Sequence, residues 1–257
     1  MTRTVFLALL PAVGTVLSSC AGRDNPVALD DLDVQAEFEI EAARVETLEE
    51  IEIAVRATHQ GAPLNLRLAQ LEIEPAVGGP AQRVTLEPGG EHYAAHVRFF
   101  QPGEHHLHFM AVPERHHLMK EMGEHEVEVH RAHRVIGPYW VELGLNPAPI
   151  LEGSAAHLKI YGYVRNPDGT PGPPASGLEV HLALHSPDGQ ESVLAVAEEQ
   201  PGEYEAEFTF AKAGTYQLHV EIEIDGAHEE AEFHVPVLSP GGEEAGTGKP
   251  GGHGHGS

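Results

Sequence analysis

Histidine and methionine crowd one stretch of this 257-residue chain. Ten of its 19 histidines lie between His92 and His133, and the only methionines after the initiator are Met110, Met119 and Met122. Imidazole nitrogen binds zinc or copper, and thioether sulfur is a soft donor that favours Cu(I). The spacing is His106-x-His108-x-Met110, then His116-His117-x-Met119-x-x-Met122, then His125. If Leu107 and Phe109 point into a core, a period of two sends His106, His108 and Met110 outward, roughly 7 Å apart along a strand. A loop over residues 111–123 then brings His116, His117, Met119 and Met122. The returning strand brings His125, with Glu126 and Glu128 on the outer face. All eight His and Met residues are thus expected in a small volume, as ligands for copper, with zinc as the other candidate. Two plainer readings of the same residues stay open. The His/Glu face is a solvated surface in one, and Met119 and Met122 are an apolar plug over the end of a sandwich in the other. His157, His181, His185, His219, His228 and His234 read as surface or core. The tail histidines His253 and His255 sit in a Gly-rich segment that must lose much conformational entropy to chelate.

Catalysis finds little support. No Gly-x-Ser-x-Gly elbow is present, and no glycine loop follows a strand and opens a helix to cradle phosphate. The chain is therefore read as a binding protein and not an enzyme. Cys20 is the only cysteine. It ends the segment Leu17-Ser18-Ser19-Cys20, which follows Arg3 and an apolar run from Val5 to Leu17 interrupted by Pro11, Gly14 and Thr15. That run falls short of the roughly 20 apolar residues needed to span a bilayer and has the form of a cleavable signal peptide. The segment resembles the bacterial lipobox, which implies cleavage before Cys20 and a diacylglycerol on its thiol. With Cys20 acylated, neither a disulfide nor a thiolate metal site remains open to the mature chain. The expected location is the cell envelope, lipid-anchored and extracytoplasmic, at the periplasm or the cell surface.

The elements that must position these side chains are strands. Phe38 and Ile40 alternate with Glu37, Glu39 and Glu41; Ile51, Ile53 and Val55 alternate with Glu50 and Glu52; Leu71 and Ile73 alternate with Glu72 and Glu74. One apolar and one acidic face per strand is the pattern of antiparallel sheets with a wet side. Turn signals such as Gly78-Gly79-Pro80, Pro88-Gly89-Gly90, Asn166-Pro167-Asp168-Gly169 and Ser186-Pro187-Asp188-Gly189 separate the runs. The chain also repeats without a gap at a shift of 111 residues. Tyr93, Val97, Phe99, Gly103, Leu107 and Phe109 recur as Tyr204, Phe208, Phe210, Gly214, Leu218 and Val220. A repeat of that length matches one immunoglobulin-sized domain. Tyr93, Val97, Phe99, Leu107 and Phe109, with Tyr204, Phe208, Phe210, Tyr216 and Leu218, are expected in the cores.

The expected fold is all-β: two tandem immunoglobulin-like antiparallel β-sandwiches after a lipoprotein signal peptide. Residues 1–19 are the signal peptide and 20–33 the lipidated cysteine and tether. Residues 34–131 form the first domain, 137–238 the second, and 239–257 a disordered Gly/His tail. The composition, 41% hydrophobic but 6% aromatic, is globular, and the formal charge of −25 disfavours nucleic acid or an anionic membrane surface as a partner.

The lipobox, the tyrosine-to-phenylalanine strands with their glycine turn, and the closing His/Met loop together resemble the YtkA-like and FixH-like domains of bacterial envelope proteins. The resemblance covers the first domain well and the second loosely, and its motifs are mostly structural. It implies an envelope-anchored copper-binding or copper-delivery lipoprotein, with an oxidase-assembly factor or metal transporter as partner. In the second domain the corresponding stretch, Ile224-Asp225-Gly226-Ala227-His228, is a short turn without the His/Met loop. The rival reading is a structural or adhesive immunoglobulin-like module with no metal role. A third is pH sensing by the clustered histidines.

Overall fold

The computed structural model describes residues 33–241. The expected signal peptide, Cys20 with its expected tether as far as residue 32, and the tail from residue 242 with His253 and His255 lie outside the described residues. Alternation commits most of the described chain to strands, which fall into two units. The first unit holds residues to Val45 with Glu50–Arg98 and Gly103–Val129. The second holds Glu46–Glu49, Phe99–Pro102 and everything from His130.

In the first unit the strands are β1 (Val34–Ile40), β2 (Val45–Glu46), β3 (Glu50–His59), β4 (Ala62–Pro63), β5 (Leu66–Pro75), β6 (Gln82–Thr85), β7 (Glu87–Pro88), β8 (Tyr93–Arg98), β9 (Gly103–Pro113) and β10 (Lys120–His130). One sheet has the order β1-β3-β8-β7, with β4 on β3; the other has β2-β10-β9-β5-β6. The period of two decides what is buried. Ile51, Ile53 and Val55 from β3, Leu71 and Ile73 from β5, and Leu107, Phe109 and Ala111 from β9 are all buried. Each large aliphatic or aromatic side chain so removed from water contributes about 1.5–3 kcal/mol. Their neighbours Glu50, Gln70, Glu72, Glu74, His106 and His108 face outward or stay partly exposed.

The second unit follows the same plan. Its strands are β11 (His133–Ile136), β12 (Tyr139–Asn146), β13 (Ile150–Leu151), β14 (Ala155–Arg165), β15 (Pro171–Pro174), β16 (Val180–His185), β17 (Glu191–Leu194), β18 (Ala197–Gln200), β19 (Glu203–Thr209), β20 (Gly214–Ile224) and β21 (Ala227–Leu238). The sheets run β11-β12-β14-β19-β18, with β15 on β14, and β13-β21-β20-β16-β17. Val141, Leu143, Leu158 and Ile160 from the first pack with Leu182, Leu218, Val220, Phe233 and Val235 from the second. The architecture is that of immunoglobulin-like β-sandwiches, built mainly of antiparallel pairs, with β13 running parallel to β21.

The repeated tyrosine acts alike in both units. Tyr204 is buried; its hydroxyl accepts from Leu178 N at 2.9 Å and donates to Ala175 O at 2.9 Å. Tyr93 accepts from Leu66 N at 2.8 Å and donates to Leu64 O at 3.4 Å. Each ties a late strand back to a segment 26–29 residues earlier. Val97, Phe99, Leu107, Phe109, Phe210, Tyr216 and Leu218 are buried as expected. Tyr93 and Phe208 are only half-buried. The Tyr93 ring must leave its hydroxyl within reach of backbone, and Phe208 packs edge-on against Phe210 at 5.1 Å from the sandwich margin.

Candidate metal-binding face

Strand β9 carries the histidines outward because its alternate residues are spent on the core. His105, Leu107, Phe109 and Ala111 are buried, so Glu104, His106, His108 and Met110 lie on the outer face. Neighbouring strands bring carboxylates to both sides. On β5, Glu74 pairs with His106, Glu72 with His108 and Gln70 with Met110. On β10, Glu126 pairs with His106 and Glu124 with His108. The result is a central histidine column between columns of glutamate.

The distances are those of working contacts. His106 Nδ1 lies 3.2 Å from Glu124 Oε1 and 3.9 Å from Glu126 Oε1, while its Nε2 lies 3.4 Å from Glu104 Oε1. His108 Nδ1 lies 3.1 Å from Glu121 Oε1, and its Nε2 is 4.0 Å from Glu74. The two rings stack with centroids 6.4 Å apart. The hydrogen bond to Glu121 holds the His108 imidazole above its ordinary pKa, against a smaller opposing effect of burial. Glu72 is engaged instead by Arg83, which donates to Oε1 at 3.0 and 2.7 Å.

A β-bulge sets the outer face of β10. Glu121 pairs with Met110 and Gly123 with Phe109, leaving Met122 as the extra residue. Without that insertion, Glu121 and Glu124 would point to opposite faces; with it, both point outward around His108. The bulge also sets apart two residues of the expected ligand set. Met122 is buried at 8% exposure, and His125 pairs with Leu107 on the inner face, stacked on Phe38 at 5.2 Å. Burial there pushes the His125 pKa down. His116, His117 and Met119 lie in the loop between β9 and β10, where His117 Nδ1 sits 3.4 Å from Arg67 Nη1. The structure thus brings together His106 and His108, keeps Met110 on their face, and removes Met122 and His125 from it.

What groups with the histidines is carboxylate. Two sets have ligand atoms all within 4.8 Å of one another: Glu104, His106 and Glu126, and His108, Glu121 and Glu124. The glutamates of β10 and Glu104 were not foreseen as ligands, although their pairing with histidine columns follows from strand register. Sequence reading also set aside the second unit, where the sheet of β16, β20 and β21 carries a comparable face. There His228 Nδ1 lies 2.5 Å from Glu221, His234 Nε2 lies 2.6 Å from Glu232 Oε1, and His219 Nε2 lies 3.6 Å from Glu232 Oε2. The His185 ring meets His219 edge-on at 4.9 Å.

No family model and no curated protein matches the chain. Among solved structures, the Escherichia coli adhesin FdeC is 15% identical, with 79% of this chain and 64% of that one covered and a TM-score of 0.28. Salmonella alpha-2-macroglobulin is 13% identical, with 80% and 16% covered and a TM-score of 0.35. A two-domain fibronectin type III segment of chicken tenascin is 10% identical, with 78% and 98% covered and a TM-score of 0.28. The chain thus spans less than two thirds of the length of the first two. At these identities and TM-scores they assign no activity, ligand or partner to the chain.

Proposed function

We propose that this chain is an extracytoplasmic interaction module, held to a membrane by a lipid on Cys20 and offering immunoglobulin-like sheet faces to an envelope partner. The observation that carries the reading is the run of cross-strand histidine–glutamate contacts over one sheet in each unit, β5-β9-β10 and β16-β20-β21, where the opposite sheets carry single histidines so engaged, His96 with Glu50 and Glu52 and His157 with Glu205. Such a face is polar, ordered by neighbouring strands and rich in acceptors. A net charge of −25 favours a partner surface that presents cations. Amine cross-linking on intact cells tests it. Wild type should give discrete higher-mass adducts that a variant with His106→Ala, His108→Ala, His185→Ala and His219→Ala loses. Wild type and this variant should both incorporate labelled palmitate, whereas Cys20→Ser should not. Unchanged adducts in the four-histidine variant would contradict the reading.

A second reading, transition-metal binding and delivery with copper foremost, has its own support in the convergence of imidazole nitrogens and carboxylate oxygens on the first unit. The YtkA-like and FixH-like resemblance points the same way and makes an oxidase-assembly factor or metal transporter the partner. A strain lacking the protein should then lose oxidase activity under copper limitation. Wild type should restore it and the variant His106→Ala/His108→Ala should not; full restoration by the variant would count against a metal role.

A further inference from the structure

We infer that the outer face of β9 and β10 holds two adjacent sites for a borderline divalent cation of the zinc class. One is formed by Glu104, His106 and Glu126 and the other by His108, Glu121 and Glu124. The inference rests on the second reading above and changes both its ligands and its ion. Each set offers one imidazole nitrogen and two carboxylate oxygens within 4.8 Å of one another. That donor chemistry suits Zn(II), which takes His and Glu together and, with three protein ligands, leaves a fourth position open to water or an incoming group. It does not suit Cu(I), which prefers sulfur. Of the three methionines that would supply sulfur, only Met110 shares the face; Met122 is buried and Met119 lies in the loop.

Charge balance argues the same way. Two carboxylates beside a neutral imidazole carry a charge of −2 and repel one another, and a divalent ion cancels that charge at the point where the oxygens converge. The face also holds a contrasting arrangement. Glu72 belongs to the same sheet, yet it is neutralised by Arg83 and joins neither set. The bulge at Met122 is a further, independent feature. It costs the ladder a paired residue, and its effect is to turn Glu121 to the side of Glu124 and His108. Bulges that re-aim a side chain in this way concentrate beside functional sites. The two sets lie side by side, the His106 and His108 rings being 6.4 Å apart, and Glu124 of the second set also meets His106 Nδ1 at 3.2 Å, so one face would hold two neighbouring ions.

The test is a zinc chloride titration of the full chain in mild detergent, with His253→Ala and His255→Ala introduced so that the tail contributes nothing. Stoichiometry comes from equilibrium dialysis, and Co(II) substitution reports coordination through its visible absorption. The expected result is two ions per chain, falling to one in His106→Ala and to one in His108→Ala. Glu124→Gln should weaken the His108 site at least about tenfold, as much as loss of an outer-shell partner does elsewhere. Met110→Leu and Met119→Leu should change nothing. Unaltered circular dichroism and melting temperature show that the exposed substitutions leave the fold intact. Zinc binding indifferent to His106 and His108, or none at all, overturns the proposal. A Cu(I) titration separates the two failures: Cu(I) binding lost in the methionine variants, without zinc binding, removes the zinc-class sites but leaves the metal reading. Binding of neither ion removes both.

Discussion

Single side chains decide more here than their exposure suggests. Tyr93 and Tyr204 each satisfy a backbone N–H and a carbonyl in a preceding segment. Truncating the hydroxyl leaves a donor without its acceptor, which costs about 1–3 kcal/mol when the site is dry. Tyr204→Phe should therefore destabilise its unit by that amount, and Tyr93→Phe by less, because Tyr93 is half-buried and water can replace its hydroxyl. Urea unfolding followed at each unit checks the order. Glu205 supplies a pH dependence. The Lys159 ammonium, first by hydrogen bonding, and then His157 hold its carboxyl below the usual value of 4.5. A carboxyl depressed in the folded state contributes stability that is fully present above its unfolded pKa and is lost as pH falls through the lower folded value. Wild type should therefore keep a stability advantage over Lys159→Met at neutral pH and lose it at acid pH, below about 4.5. Urea midpoints measured from neutral to strongly acid pH should converge for the two proteins; a constant gap would show that the ion pair is not its source.

At the scale of the strand, the bulge in β10 marks where sequence reasoning succeeds and where it stops. The outward placement of His106, His108 and Met110 was legible because β9 alternates without interruption from Glu104 to Ala111. The 111-residue repeat likewise announced the matching late strands and their tyrosines. The inward face of His125 follows by alternation from Glu126 and Glu128 facing outward, but the phase of Glu121 was not legible: the unpaired Met122 reverses it, while His125 packs on Phe38. The same reversal hid the gathering of Glu121 and Glu124 around His108, because residues three apart on a regular strand face opposite ways. The second unit's histidines do not group in the sequence for a related reason: they come from three strands, and register alone joins them. Gly123 shows how tightly the bulged strand is held. A Cβ there would lie 2.6 Å from Ala36 Cβ on β1. Gly123→Ala should force β10 and β1 apart and cost about 1–3 kcal/mol, the usual penalty for overpacking. A melting temperature equal to wild type would show that β1 yields freely.

Over the whole chain, two immunoglobulin-like units each present a sheet face that pairs imidazole with carboxylate. Neither unit needs a disulfide, because alternating apolar residues give each a core of its own. The opposite sheets carry exposed glutamates too, such as Glu39 on β1 and Glu207 on β19, and single histidines, His96 and His157, among them, so neither acidity nor a lone histidine singles out a working surface. Position-specific cross-linking in cells does. A photoreactive phenylalanine would replace Glu128 on β10 or Glu230 on β21, beside the histidine faces, and Glu39 or Glu207 as controls. Discrete adducts from Glu128 and Glu230 and none from Glu39 and Glu207 are the predicted result. Adducts from the control positions alone, or the same pattern from all four, would contradict the claim that the histidine–glutamate faces are where this protein binds.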